Sequence, residues 1–279
     1  MCKREVWKLG GSVLKNSKAF LYYAKAARSY LDRNPSVDRL YIVASAAKGD
    51  TERLIDTVGG SRSDRKLLRK RLQGERPAEG ECCRFDTRET PVRLLQGEIE
   101  SAHKLRLAFV SAGEQAKVVT QLDFFPIVSQ GSYLFAELDI ESSRHRFELF
   151  DRICRQRRVV IITGFGAVNI SGEATLLGRN ASDYVAAIFS SLDRKVNRVM
   201  FAKDVDGIYD KFRTRDQYLI PSIKAENLRD KQLGEVLDRR VLDIIASDFC
   251  FTNDRLRVGT SVFLSDPQPA LNAALEGGR

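Results

Sequence analysis

The chain has 279 residues, 43% of them hydrophobic and 30% charged, an ordinary balance for a globular protein and enough chain for one large α/β domain or two closely packed lobes. Its 46 lysines and arginines against 37 aspartates and glutamates give a formal charge of +9, much of it concentrated in one segment. No apolar run approaches a membrane span, and Met1-Cys2-Lys3-Arg4 leads straight into a strand-like segment, so no membrane partner or signal peptide is expected and the cytoplasm is the expected location.

The five cysteines, at positions 2, 82, 83, 154 and 250, show no CxxC spacing, and only His103 and His145 could join them in a zinc site. No metal held by the protein itself is expected, and the cysteines read as reduced thiols.

Val6-Trp7-Lys8-Leu9 reads as a short strand running into the tight turn Gly10-Gly11-Ser12. Glycines let the backbone approach a ligand, so amides can donate to phosphate oxygens while the Lys8 ammonium neutralises them. A simple strand-ending turn is the alternative. The lysine precedes the glycines, which separates this pattern from a Walker loop. Phe20, Ala24, Ala27 and Leu31 then repeat at helical spacing over residues 16–33, and Asn34-Pro35 ends the helix. Residues 40–44 are an apolar run with the composition of a strand buried in a parallel sheet. Strand, helix and strand make a βαβ unit. The loop Ser45-Ala46-Ala47-Lys48-Gly49-Asp50-Thr51 follows at a strand's carboxyl end, where open α/β sheets place ligands.

Residues 61–76 hold seven basic side chains against two acidic ones. Two readings stand, a face for a polyanion and a solvated helix; no interleaved aromatics accompany it, and nucleic acid is not expected as a partner. Residues 62–96, with Pro77 and Pro91, read as a mobile lobe or a partner surface. A helix over about 92–104 leads to a third strand at 107–111, ended by Gly113-Glu114, where Glu114 either binds an amino group or caps the next helix.

A short strand is expected within 126–131, a helix over 143–156, and the clearest strand of the chain at 158–163, closed by Gly164-Phe165-Gly166. A hairpin-like segment over 167–177 feeds residues 176–192, where the polar chemistry concentrates. Gly178, Arg179, Asn180, Ser182 and Asp183 form a turn before an apolar helix, with Ser182 or Asp183 as the N-cap. A helix start attracts an anion, Arg179 offers a two-pronged donor to a carboxylate or phosphate, and Asp183 can orient a donor or a cation. The plainer reading is a capped helix and nothing more. A fifth strand at 199–202 precedes Lys203-Asp204-Val205-Asp206-Gly207-Ile208-Tyr209-Asp210, which lacks the acidic spacing of a calcium loop and suits a turn with Tyr209 against a nucleotide base. A helix over about 230–246, strands within 256–264 and a helix at 269–275 complete the chain.

Taken in order, these motifs resemble the amino acid kinase family, and within it aspartokinases most closely. Lys8-Leu9-Gly10-Gly11-Ser12 is similar to the family's opening Lys-Phe-Gly-Gly-Thr-Ser or Lys-Leu-Gly-Gly-Ser, and Ser45-Ala46 with Thr51 to the aspartokinase Ser-Ala loop and its threonine. Gly113-Glu114 resembles a Gly-Glu pair at a strand end, and Gly164-Phe165 a glycine-phenylalanine after a strand. Leu177 through Tyr184 is similar to Leu-Gly-Arg-Gly-Gly-Ser-Asp-Tyr, and Lys203 through Tyr209 to Thr-Asp-Val-Asp-Gly-Ile-Tyr.

The resemblance implies a three-layer α/β/α sandwich around a mostly parallel central sheet, one domain over 1–279 with an acceptor-binding lobe at about 1–170 and an ATP-binding lobe at about 171–279. It implies ATP with magnesium bridging its phosphates, a small anionic acceptor and a homodimer. Lys8 would neutralise the transferring phosphoryl, with Gly10, Gly11, Ser12 and Ser45 around the phosphates and Asp183 organising the site. Thr51, Glu114, Phe165, Arg179 and Ser182 would hold an amino-acid acceptor, and Lys203, Asp204, Tyr209 and Arg213 the nucleotide.

Three features depart from the aspartokinase pattern. Asn180-Ala181 replaces Gly-Gly, Lys203 replaces a threonine, and Asp210-Lys211-Phe212-Arg213 only partly matches Thr-Asp-Pro-Arg, leaving Lys211 and Arg215 as candidates for a second phosphate-binding cation. No appended amino-acid-binding regulatory domain is expected. The leading expectation is a kinase that converts the carboxylate of aspartate or a related acid to an acyl phosphate. A kinase of a hydroxyl, phosphate or phosphonate acceptor and a catalytically weak nucleotide-binding subunit are the alternatives.

Overall fold

A strand covered on both faces needs apolar side chains at consecutive positions, and the runs near residues 6, 42, 161 and 200 supply four such strands. The computed structural model describes residues 3–75, 84–204, 208–211, 213–220, 239–247 and 257–262. In chain order its elements are β1 (Lys3–Leu9), α1 (Ser17–Arg33), β2 (Val37–Ala44), α2 (Asp50–Gly59), α3 (Arg62–Leu72), α4 (Glu89–Leu94), α5 (Gln96–Ser111), β3 (Ala116–Val119), β4 (Val128–Gly131) and β5 (Ala136–Asp139). There follow α6 (Ile140–Ile153), β6 (Val159–Thr163), β7 (Gly166–Val168), β8 (Ala174–Leu176), α7 (Ala181–Leu192), β9 (Val196–Lys203), β10 (Ile208–Asp210), β11 (Tyr218–Ile220), α8 (Arg239–Ser247) and β12 (Arg257–Val262).

The main sheet has the order β12-β9-β1-β2-β6-β3, with every neighbouring pair parallel. Successive side chains of a strand point to opposite faces, and they divide here between two cores. Val6, Tyr41, Val43, Val160, Ile162, Val199 and Phe201 enter one core, where residues of α2, α3, α6 and α7 meet them. Trp7, Leu9, Leu40, Ile42, Val159, Ile161 and Met200 enter the other, under α1 and α5. The result is the three-layer sandwich expected. A smaller sheet, β5-β4-β7-β8, hangs from the turn after β6, and β10 pairs with β11 as a hairpin.

On the first face Tyr41, Phe147, Phe150 and Phe189 pack with ring centroids 5.2–6.4 Å apart, contacts worth about 0.5–1.5 kcal/mol each beyond burial. At the amino-terminal end of the sheet the Arg4 guanidinium, 4% exposed, lies 2.7 Å from both Asp151 and Asp193. The Tyr41 hydroxyl donates to Asp193 at 2.8 Å, and Arg39 also pairs with Asp151. Burying these charges is tolerable only because they are paired.

Several expectations need correction. Residues 107–111 are the last turns of α5 rather than a third strand. Leu105, Ala108 and Phe109 are buried while Leu107 and Val110 are exposed, the spacing of one helix face; the strand comes later, at Ala116. Residues 62–75 and 84–96 form α3, α4 and the start of α5 rather than a loose lobe. The basic segment is a helix that buries Leu68 and Leu72 and pairs Arg65 and Arg69 with acidic groups of α2. The helix expected over 92–104 is two helices that meet at Leu95. The helix of 143–156 starts earlier, at Ile140, because Asp139 caps it by accepting from the Ser142 amide at 3.0 Å. Of the helix expected over 230–246, the described part is α8, and the one at 269–275 lies outside the described residues. Among the described residues no helix is long and apolar enough to cross a membrane.

Candidate active site

Because the main sheet is parallel, the carboxyl ends of its adjacent strands β9, β1, β2 and β6 share one edge. Ligands of open α/β sheets bind at that edge, and a cavity of about 1310 Å³ opens there. The turn after β1 contributes Gly11 and Ser12, the loop after β2 Ser45 through Gly49, the turn after β6 Phe165, and the end of β9 Lys203. Lys8 of β1, Thr51 and Glu52 of α2, Arg69 and Leu72 of α3, Gln73 after it, Glu98 of α5, Phe135, Arg179 and Asn180 before α7, Ser182 and Asp183 of α7, and Arg240 of α8 complete the described wall.

Close packing of these loops dictates small residues. A Cβ on Gly11 would lie 2.4 Å from the Ala46 carbonyl oxygen, and one on Gly164 would lie 2.6 Å from the Ser182 hydroxyl. Gly10 sits beside the cavity and donates its amide to Ala202 at 3.2 Å, so that amide is engaged within the sheet edge rather than offered to phosphate. Phe165 has φ of 72°, a conformation that costs a bulky residue about 1–3 kcal/mol and that clusters at functional sites.

Lys8, Asp183 and Lys203 form the charged centre. Lys8 Nζ lies 2.6 Å from Asp183 Oδ1, an ion pair lacking hydrogen-bond alignment, and Lys203 Nζ donates to Asp183 Oδ2. Burial works to raise the Asp183 pKa, but the two ammonium groups outweigh it and hold the carboxyl below its usual range. Two cations on one carboxylate leave a net positive charge facing the cavity.

The start of α7 differs from the expected cap. Asn180 takes the N-cap position with φ of 61° and no side-chain capping bond, while Ser182 and Asp183 lie inside the first turn. Neither can be the cap, and both are freed to face the cavity. Asparagine tolerates the left-handed region better than most residues, so Asn180 preserves a backbone path that glycine would otherwise supply.

Glu98 escaped the sequence reading. It is 3% exposed and accepts from the Ala46 amide at 3.3 Å through Oε1, while buried Oε2 has no partner. Burial pushes its pKa up to about 8. Gly97 lets α5 cross the loop after β2, since a Cβ there would lie 2.8 Å from that of Ala46. Gly113-Glu114, the pair chosen from the sequence, sits beyond α5. The Glu114 carboxylate is 3.7 Å from Arg28 of α1, outside the cavity, and the next element is a strand, so it neither lines this site nor caps a helix. The chain contains six Gly-Glu pairs, and only position relative to the folded loops separates them.

Glu52, Arg69 and Arg240 were also missed. Arg240 donates to the Leu177 carbonyl and stacks over Tyr184 at 4.6 Å, and nothing in the local sequence marks it. Of the expected nucleotide residues, Lys203 lines the cavity; Asp204, Tyr209 and Arg213 are not among its described lining residues. Asp204 and Arg213 are exposed, and Tyr209 is half-buried in the β10–β11 hairpin. Lys211 and Arg215 are likewise exposed and absent from that lining.

Among the described lining residues, Lys8, Lys48, Arg69, Arg179, Lys203 and Arg240 outnumber Glu52, Glu98 and Asp183, the balance of a site for an anion. No described cluster of acidic, histidine or cysteine side chains could hold a metal, and both Asp183 oxygens face ammonium groups. Magnesium therefore fits this site as a companion of phosphate oxygens and water, its usual habit, rather than in a protein cage.

Fold and cavity together define an α/β protein with a cationic site at the carboxyl edge of a parallel sheet. The chain belongs to the amino acid kinase family, which it matches over residues 3–251. It is 27% identical to an aspartokinase of Rickettsia prowazekii over 234 residues, 84% of this chain and 45% of the relative, so it spans about half the relative's length. The structure of E. coli aspartokinase III in complex with aspartate and ADP superposes with a TM-score of 0.67 at 21% identity, covering 95% of this chain and 63% of that one. Uridylate kinase from Archaeoglobus fulgidus shares the fold at a TM-score of 0.53 and 19% identity, covering 98% of this chain and 95% of its own.

Proposed function

We propose that the protein transfers the γ-phosphoryl group of ATP to the carboxylate of a small amino acid, aspartate or a related acid, yielding an acyl phosphate and ADP. The observation that carries this reading is the convergence of Lys8, Asp183 and Lys203 with Arg179 and Glu98 on one cavity. In the reaction an acceptor carboxylate oxygen attacks the γ-phosphorus, and the bond to the β–γ bridging oxygen breaks as ADP leaves. Such a transfer needs charge neutralisation and alignment more than covalent assistance. Lys8 and Lys203 neutralise the phosphoryl oxygens, and Asp183 keeps both ammonium groups in place. Gly11, Ser12 and Ser45 approach the phosphates. Arg179 takes an acceptor carboxylate, with Thr51, Phe165 and Ser182 around the acceptor. Glu98 takes the role that the resemblance implied for Glu114, facing the acceptor's ammonium group. Magnesium neutralises phosphate charge when it arrives with the nucleotide.

The names of the aspartokinases, and the aspartate and ADP in the E. coli complex, support this acceptor. An acceptor-binding lobe at about 1–170, which also brings Lys8, Gly11, Ser12 and Ser45 to the phosphates, and an ATP-binding lobe at about 171–279, which also brings Arg179 and Ser182 to the acceptor, belong to the same reading, as does a cytoplasmic homodimer. A phosphate or hydroxyl acceptor is the second reading, favoured by the likeness to uridylate kinase along 95% of that chain. ADP release from Mg-ATP across amino acids, hydroxy acids and nucleoside monophosphates, with hydroxylamine to trap acyl phosphates, separates them. Hydroxamate formed with aspartate supports the first; turnover without hydroxamate moves the chemistry to a hydroxyl or phosphate. No turnover with any acceptor refutes both and leaves a nucleotide-binding subunit.

A further inference from the structure

The basic helix α3 contributes to the cavity one charged residue that the roles above do not use. The Arg69 guanidinium donates to Glu52 Oε2 through Nε at 3.1 Å and Nη2 at 3.0 Å, and to Asp56 at 2.9 Å. The other oxygen of the same carboxylate, Glu52 Oε1, is taken by Arg179. One internal carboxylate is thus held between two arginines, and all three side chains line the cavity. Their relative placement is built into the backbone, because the Arg179 amide donates to the Leu72 carbonyl at the end of α3 at 2.8 Å. All three side chains are at least 36% exposed. Ion pairs this exposed are weak and open to replacement by a ligand.

A carboxylate whose two oxygens are each taken by a different guanidinium is held by the charge-assisted hydrogen bonds that suit arginine to anions. Glu52 already demonstrates the chemistry of the group that fits there. We propose that Arg69 is a second reader of the acceptor's carboxylate, with Glu52 as an internal stand-in that holds the place between Arg69 and Arg179 until the acceptor displaces it. This rests on the acceptor reading given above and sharpens it. The preferred acceptor carries a carboxylate for the arginine pair in addition to the group that receives the phosphoryl, making it a dicarboxylate. It also gives the basic segment a role: one of its arginines faces a small anion, while Arg65 pairs with Asp56 of α2, Lys70 with Glu75 and Arg71 with Asp86.

Calorimetric binding of L-aspartate and succinate, with alanine and propionate as single-carboxylate controls, tests this on the whole protein. The proteins compared are the natural chain, Arg69→Ala, Arg69→Lys and Glu52→Gln, each also titrated with Mg-ATP. Arg69→Ala weakens dicarboxylate binding about tenfold, Arg69→Lys recovers only part of it, and ATP affinity stays within about twofold. Glu52→Gln removes the charge of the stand-in and tightens dicarboxylate binding about threefold or more, an effect that damage to the fold cannot produce. Dicarboxylate affinity in Arg69→Ala within twofold of the natural chain, weaker binding in Glu52→Gln, or no dicarboxylate binding by the natural chain overturns the proposal. Arg69-dependent binding without ADP formation would refute the kinase reading alone. Full turnover with unchanged affinity in Arg69→Ala would refute the arginine pair alone.

Discussion

Replacing Glu98 by glutamine tests whether a buried carboxyl of the cavity is protonated at neutral pH. The side chain is 3% exposed, one oxygen lacks any partner, and burial raises its pKa from 4.5 to about 8. In the unfolded chain the group ionises near 4.5, while in the folded protein it keeps its proton to about 8. The folded state therefore binds the extra proton across that window, and stability falls as pH rises through it. At about 1.4 kcal/mol per pKa unit, the full loss above pH 8 is at most about 5 kcal/mol. The glutamine side chain retains an oxygen for the Ala46 amide and does not titrate, so Glu98→Gln should hold its stability over the same window. Urea unfolding at several pH values from 5 to 9 measures both proteins, and parallel curves would refute the argument. A second consequence concerns ligands: with its pKa raised to about 8, Glu98 is mostly protonated at pH 7, so under the proposed function pairing with an acceptor's ammonium group would expel that proton. Calorimetry of aspartate binding in buffers of different ionisation enthalpy should show close to one proton released, and none in Glu98→Gln.

Four further outcomes follow from the geometry. Lys8→Ala or Asp183→Asn should lower phosphoryl transfer by about 10²–10³-fold with circular dichroism unchanged in Lys8→Ala; full turnover in either would remove the role assigned. Because the folded pKa of Asp183 is depressed, its ion-pair contribution is complete above the ordinary carboxyl range and lost only in acid, as pH falls through the folded value; Asp183→Asn should accordingly narrow its stability gap to the natural chain at low pH. Gly11→Ala sets a Cβ against the Ala46 carbonyl and should cost about 1–3 kcal/mol in thermal or urea unfolding. Arg4→Met strands Asp193 at the opposite end of the sheet and should cost about 3–5 kcal/mol, while acceptor and ATP KM stay within twofold.

The parallel sheet was legible because its strands are nearly continuous apolar runs, and the helix from 16 to 33 because its apolar spacing is regular and Asn16 caps it. The site was legible where a turn follows a strand directly, as at Lys8, Ser45 and Gly164, since the carboxyl edge gathers such turns whatever lies between them. It was not legible where a residue reaches the cavity from a helix flank. Residues 107–111 look like a strand because five small or apolar residues in a row satisfy either period, and that error carried Gly113-Glu114 to a false strand end. Gly97-Glu98 was hidden by the same mistake, for inside a helix a glycine looks like a weakness until the loop it must clear is known. Arg69 was read among seven basic residues whose individual directions only the fold reveals.

Four of the cavity's cations come in two sets, each around a shared carboxylate: Lys8 and Lys203 on Asp183, Arg69 and Arg179 on Glu52. The two sets differ in burial, and that difference separates their work. Asp183 is 5% exposed, and removing its charge would leave two ammonium groups uncompensated in a low dielectric, where mutual repulsion is strong. It is placed as a permanent strut, and under the proposed function phosphate oxygens would add to the lysines without replacing it. Glu52 is 41% exposed at its side chain, and solvent can take up its charge at little penalty when a ligand displaces it. Under the proposed function, an acceptor carboxylate would therefore enter by exchange at the arginines, whereas nucleotide phosphate would enter by addition at the lysines. Salt should distinguish them: addition of net charge is screened more strongly than exchange of one carboxylate for another. KM for ATP should consequently rise more steeply with ionic strength than KM for the acceptor, and equal slopes would show that both groups of cations are used in the same way.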